Sequence, residues 1–240
     1  MAVVVDQPVP LSTGFVPESR FGVWFLSTNI WVDYVLKCAA DDLNRLIGNR
    51  RASYPVIVDF GCGFGRSFKL LEERFRPIRI VGIDADPKML ARSRLEARRH
   101  GLPVELKRTR NSSLPLGDES VDMIFCHQTF HHLVDQRRAL REFHRVLKPE
   151  GLLLFAESTR KFIDSWIIRL LFRHPMETQR SAHEYLSMIN EAGFETGPDS
   201  VSYPYSWWSR KDFAIMERWF GVVARQPHEE TLINVIAVRR

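Results

Sequence analysis

"VIVDFGCGFGRSFKLL" (residues 56–71) runs from a continuous apolar stretch into an acid, three alternating glycines and then an amphipathic segment. The opening "VIVDF" reads as a β-strand covered on both faces, and "RSFKLLEERF" reads as the helix that follows it, stopped near Pro77. Glycine costs backbone entropy there, and an acid risks burying a charge. Asp59, Gly61, Gly63 and Gly65 therefore mark a turn that something approaches closely. A helix N-terminus behind such a turn offers free N–H groups and the positive end of a dipole.

Outward from this turn, strands and helices alternate. "RIVGID" predicts a second strand, and "PKMLARSRLEARRHG" a helix opened by Pro87 and closed by Gly101. "PVELKRT" and "VDMIFCHQ" predict strands three and four. "DQRRALREFHRVLKPEG" predicts a helix closed by a Lys148-Pro149-Glu150-Gly151 turn, and "LLLFAES" a fifth strand. Such alternation builds a doubly wound, mostly parallel α/β sheet. Later, "KFIDSWIIRLLF" and "SAHEYLSMINEAGF" predict helices, "SVSYPY" and "TLINVIAVRR" the last strands, and "SWWSRKDFAIMERWFG" a partly helical, aromatic stretch. The expected organisation is a loose 1–14, helices over about 21–47 forming an N-terminal cap within 1–50, and one domain over 51–240. A helical insert is expected over about 159–195.

The ligand is read from charge and spacing. A dinucleotide fingerprint needs glycine at position 66, where Arg66 stands, so an NAD-type oxidoreductase is disfavoured. Asp59 would repel a pyrophosphate but attract an ammonium or sulfonium group. Asp84 ends the second strand 23 residues after Gly61, the distance at which a carboxylate accepts from ribose hydroxyls. Asp86, followed by Pro87, is read as a helix cap.

"VDFGCGFGR", "VGIDADPKML", "SLPLGDESVDMIF", "HHLVDQRRALREFHRVLKPEG" and "LLLFAE" together resemble successive motifs of the class I S-adenosylmethionine-dependent methyltransferases. The resembling branch holds the ubiquinone and menaquinone C-methyltransferases and related small-molecule enzymes. The resemblance covers 55–158 closely. It implies a seven-stranded Rossmann-like sheet with the last strand antiparallel, and S-adenosylmethionine as cofactor. It places Gly61, Cys62 and Gly63 against the methionine part with Asp59 near the amino group, Asp84 on the ribose, and Ala85 and Met89 near the adenine. It implies an adenine contact from Asn111 or Ser112, since Arg110 stands where an acid is usual. His127 and Gln128 would border the transferring methyl.

Catalytic base candidates are His127, His131 and His132 at the fourth strand's exit and Glu157 at the fifth, with a structural role expected for at least one of the paired histidines. Cys62 and Cys126 are read as buried packing residues. The three cysteines fit neither a disulfide framework nor a metal site. Phe21, Trp24, Phe25, Trp31 and Tyr34 in the cap, with Trp166, Tyr203, Tyr205, Trp207 and Trp208 after the fifth strand, favour a small apolar or aromatic acceptor. The alternative is a non-catalytic, cofactor-binding protein of the same fold acting as a partner or assembly factor.

Composition agrees with a cytoplasmic globular protein: 45% hydrophobic, 26% charged, net charge +5. No window reaches the roughly 18 apolar residues that span a bilayer, and "MAVVVDQPVP" lacks the features of a secretory signal. The basic runs (Arg92, Arg94, Arg98, Arg99, Lys107, Arg108, Arg110; Arg137, Arg138, Arg141, Arg145, Lys148) follow helix and strand periods and read as solvated faces. Nucleic acid is not an expected partner. "SWIIRLLFRH" reads first as a lid helix and second as a membrane-surface helix.

Overall fold

The computed structural model describes residues 18–48, 53–110, 112–172, 176–209 and 230–240. Five strands form the parallel part of the sheet: β1 (Val56–Phe60), β2 (Arg79–Asp84), β3 (Val104–Arg108), β4 (Val121–His127) and β5 (Leu147–Ser158). Two short strands, β6 (Phe194–Glu195) and β7 (Val201–Ser202), precede β8 (Leu232–Arg239). The order is β3-β2-β1-β4-β5-β8-β6, with β7 also on β8. β8 is antiparallel to β5, β6 and β7, and lies inside the sheet rather than at its edge.

The strand count is thus eight where seven are expected. "SVSYPY" contributes only two residues of strand, and the extra pair at Phe194–Glu195 is too short to carry a period of its own. The Lys148–Gly151 turn is absorbed into β5. Val121 pairs with Leu147 and Met123 with Leu152, so residues 148–151 bulge out, with Glu150 left-handed (φ 63°). "KFIDSWIIRLLF" breaks into α7 (Arg160–Ile163) and α8 (Trp166–Leu171), because Asp164 and Ser165 interrupt the helix.

Helices cover both faces. On one, α3 (Lys37–Ile47), α4 (Phe68–Phe75) and α5 (Pro87–Arg99) enclose a core containing Leu43, Ile57, Phe68, Leu71 and Ile236. On the other, α6 (Gln136–Val146) and α9 (Ala182–Glu191) pack Phe143, Phe60, Phe130, Tyr185 and Val235. The caps match their sequence signals. Asp86 accepts from the Lys88 N–H before Pro87, and Ser181 with Glu184 forms a capping box.

The N-terminal helical segment comprises α1 (Arg20–Leu26), α2 (Asn29–Trp31), a π-helical turn (Val32–Leu36) and α3. The π turn is a local misfit in helical pitch of the kind concentrated at functional sites. The stretches 1–14 and 210–229, the latter holding most of the "SWWSRKDFAIMERWFG" expectation, lie outside the described residues.

Candidate active site

β1 delivers the glycine turn, and positive φ angles at Gly61 (75°), Gly63 (50°) and Gly65 (74°) show why glycine is needed. A Cβ on Gly61 would sit 2.1 Å from the Thr129 side chain, whereas one on Gly63 would meet only the Gly61 carbonyl oxygen at 3.9 Å, an ordinary contact. Four of the turn's N–H groups are engaged within the protein, so the expected donor cradle does not include them. Gly61 and Cys62 donate to the Ile83 carbonyl, Gly65 to the Cys62 carbonyl, and Gly63 to Asp84 Oδ2 at 2.9 Å. Asp84 Oδ1 also accepts from the Asp86 N–H. With these four donors engaged, Asp59 and Asp84 dominate the charge at the turn, an environment suited to a cation.

Asp59 is buried and accepts from the Ser67 hydroxyl. Burial, opposed by that hydrogen bond, raises its pKa to about 7. Burial also raises Asp84, with its backbone donors opposing. The Cys62 and Cys126 thiols are pushed up well above their ordinary value by burial, so both are inert packing residues. A cleft of about 60 Å³ opens beside the turn, lined by Asp59, Gly61, Cys62, Gly63, Phe64, Arg66, His127, Gln128 and Thr129, with Leu26, Trp31 and Leu36 opposite. Beyond Asp84, the Thr109 N–H donates to the Asp84 carbonyl, which brings the 109–113 loop beside the end of β2. There Ser112 is buried and left-handed (φ 59°), and its hydroxyl has no partner. Ala85, directly after Asp84, and Met89, in the first turn of α5, are half-buried. Asn111 lies outside the described residues.

The exit of β4 forms the second half. His127 is buried against the rings of Phe125 (5.8 Å, stacked) and Trp31 (5.5 Å). Burial pushes its pKa down to about 3, so the ring is neutral, and its Nε2 has no partner. Gln128 is strained (φ 50°) and accepts from the Ser158 hydroxyl at 2.7 Å. Glu157 is buried at the end of β5. Its Oε1 accepts from the N–H groups of Thr129 (2.8 Å) and Phe130 (2.6 Å), and its Oε2 lies 2.6 Å from His131 Nδ1. At that distance an Nδ1–H on His131 can donate to Oε2, the tautomer that leaves the lone pair on Nε2. The neighbouring His132 places Nε2 3.4 Å from Glu18.

A second, larger cavity of about 600 Å³ adjoins the first. Phe21, Phe25, Ile30, Tyr34, Phe162, Trp166, Phe172 and Trp208 line it, with Gln128, His131, His132 and Ser158 at its base. Leu26, Trp31 and Gln128 line both cavities. The structure therefore gathers Asp59, Gly61, Cys62, Gly63, His127 and Gln128 around one cleft and His131 in the adjoining one. Glu157 stands behind them. Sequence reasoning missed Thr129 and Ser67. Both are small polar residues, and nothing in their spacing marks them.

Residues 58–155 match the methyltransferase domain family. That stretch carries a methyltransferase domain, similar to those of class I S-adenosylmethionine-dependent methyltransferases. Among its relatives, a malonyl-[acyl-carrier protein] O-methyltransferase of Coxiella burnetii is 35% identical over 52% of this chain and 41% of its own length. A ubiquinone biosynthesis O-methyltransferase of Ruegeria pomeroyi is 25% identical over 82% of this chain and 84% of its own. The chain thus spans under half of the first relative and most of the second. A solved S-adenosylmethionine-dependent methyltransferase from Aquifex aeolicus shares the fold, with a TM-score of 0.65 at 20% identity, covering 90% of this chain and 96% of that one. The cofactor of this methyltransferase family suits the residues present. The acid-rich turn with its open face at Gly63 complements a cationic ligand, and the orphaned Nε2 of His127 and hydroxyl of Ser112 await polar partners.

Proposed function

We propose that this methyltransferase alkylates a small apolar or aromatic acceptor seated in the larger cavity, at a hydroxyl oxygen. The observation that carries this reading is the shared wall of Leu26, Trp31 and Gln128, which lets the two cavities meet at the exit of β4. When bound, S-adenosylmethionine supplies a methyl already activated by its sulfonium. Asp59 would hold the amino group, Asp84 the ribose hydroxyls, and Ser112 with Ala85 and Met89 the adenine.

The protein's own contribution is position and proton management. Aligning the acceptor oxygen with the methyl supplies about 7–11 kcal/mol through proximity, and the ring of aromatic side chains keeps competing water out. The acceptor's O–H proton passes to Nε2 of His131. The oxygen's electron pair would form the new O–CH₃ bond with the methyl the cofactor supplies, and the former S–CH₃ pair would remain on sulfur. Glu157 serves as the positioning residue, fixing the His131 tautomer and stabilising the imidazolium as it forms. His127 does not suit proton abstraction at neutral pH, because its conjugate acid is too strong. The relatives named for ubiquinone-biosynthesis and malonyl-[acyl-carrier protein] O-methylation support an oxygen acceptor, and the aromatic cavity lining supports an apolar one.

The test is transfer of labelled methyl to a panel of alkyl-substituted phenols and hydroxyquinones, with hydrophilic amines as the contrast. Label in the phenol class, reduced in His131→Ala, supports the reading. Transfer confined to the amines sinks it. Cofactor binding with no transfer to any acceptor, including those of a cell extract, would favour a non-catalytic role instead.

A further inference from the structure

The mouth of the large cavity is ringed by side chains that water solvates poorly. Among the described residues, Trp24, Ile30, Tyr34, Trp166 and Leu170 are 56%, 56%, 51%, 75% and 72% exposed. They sit on α1, α2, the π turn and α8, the elements that wall the cavity. α1 and α8 form one body: Phe21 and Phe25 meet Phe172 edge to face at 5.4 and 5.8 Å, and the Ser19 hydroxyl donates to the Leu171 carbonyl at 2.7 Å. Soluble surfaces scatter such residues singly, whereas a cluster around a cavity mouth marks an interaction site.

Charge selects the partner. Arg20 and Arg169 are exposed on α1 and α8 and Lys161 on the adjoining α7, and no ion pair among the described residues involves any of them. Of the exposed acids there, Asp33 is paired with Lys37 at 2.7 Å, which leaves Asp164. Tryptophan and tyrosine with basic neighbours around an apolar opening match the chemistry of a bilayer interface, with its apolar interior and anionic headgroups.

We propose that this face docks on an anionic lipid surface, so that an apolar acceptor dissolved in the bilayer enters the cavity without crossing water. No described helix is long and apolar enough to cross a membrane, so the contact is peripheral. The purpose assigned to the docking rests on the acceptor reading above, but the docking itself is tested independently of it.

The experiment is vesicle flotation of the full chain with phosphatidylcholine vesicles and with vesicles containing about one-third phosphatidylserine. It is run on the native protein, on Trp24→Ser/Leu170→Ser and on Arg20→Gln/Arg169→Gln, none of which lines either cavity. The expected result is binding to the anionic vesicles that falls about tenfold or more in each double variant and weakens with salt. The thermal shift with S-adenosylmethionine should be unchanged in both variants, which separates loss of docking from loss of the cofactor site. Absence of flotation, or flotation equal in native and variant proteins, overturns the proposal. So does a native dimer, seen by light scattering, that Trp24→Ser/Leu170→Ser converts to monomer without any vesicle binding, because a second copy would then cover the face.

Discussion

The backbone N–H of Gly63 donates to the carboxylate of Asp84 at 2.9 Å, joining the turn after β1 to the end of β2 before any ligand arrives. One acid thus shapes the turn and, in the proposed function, also holds the ligand with its remaining lone pairs. Asp84→Ala should lose both functions. Two backbone donors lose their acceptor, at a cost of about 1–3 kcal/mol. The shift expected with S-adenosylmethionine at about 100 times its dissociation constant, roughly 5–10 °C, should vanish. Differential scanning fluorimetry with and without ligand checks both.

Gly61 and Gly63 should fail in different ways. Gly61→Ala drives a Cβ into Thr129 at a left-handed position and should destabilise the fold by about 2–4 kcal/mol. Gly63→Ala makes only an ordinary contact with the Gly61 carbonyl and should cost only about 1–2 kcal/mol of backbone strain, yet its methyl would enter the space proposed for the ligand. Urea melts should rank Gly61→Ala as the less stable. Ligand titration should rank Gly63→Ala as the folded protein that no longer binds.

Glu157→Gln is expected to keep the fold and damage the chemistry. An amide oxygen can still accept from Thr129 and Phe130, but the amide nitrogen would then face His131 Nδ1 and force the proton onto Nε2. The acceptor-dependent kcat should fall about 10²–10⁴-fold with cofactor affinity unchanged. Steady-state kinetics beside a binding titration reads both quantities.

Asp59 makes cofactor affinity and stability respond to pH in opposite directions. Its folded pKa, near 7, lies above its ordinary 3.8, so the ligand-free protein holds the proton more tightly than the unfolded chain does. Stability from this group is fully present below about pH 4 and is lost as pH rises to about 7, by about 4 kcal/mol in all. A cationic ligand prefers the ionised carboxylate, so its affinity should weaken by up to about tenfold per pH unit below 7. In Asp59→Asn both slopes should flatten, which denaturant melts and binding titrations from pH 5 to 8 would show.

Much of this architecture was readable because its signals are local. The strand–turn–helix around Asp59 and Gly61, the cap at Asp86–Pro87 and the apolar runs of β1, β4 and β8 each announce themselves within a few residues. The features that escaped depend on partners far along the chain. The engagement of the Gly61, Cys62 and Gly63 N–H groups needs Ile83 and Asp84. The engagement of Glu157 needs Thr129, Phe130 and His131. The bulge in β5 comes from pairing with β4, and β6 exists only because β8 lies beside it. The double duty of Trp31 and Gln128 is likewise a property of two cavities and not of any spacing.

β8 also bears on how the molecule comes into being. Its alternate residues complete both apolar layers, Ile236 and Val238 on one side and Ile233, Val235 and Ala237 on the other. It fills the gap between β5 and the short strands near residues 194–202. A ribosome that has made everything up to residue 230 holds a half-sheet whose β5 edge is bare and sticky. Committed folding must therefore wait for residues 232–239, and until then the growing polypeptide is a natural client for a holding chaperone.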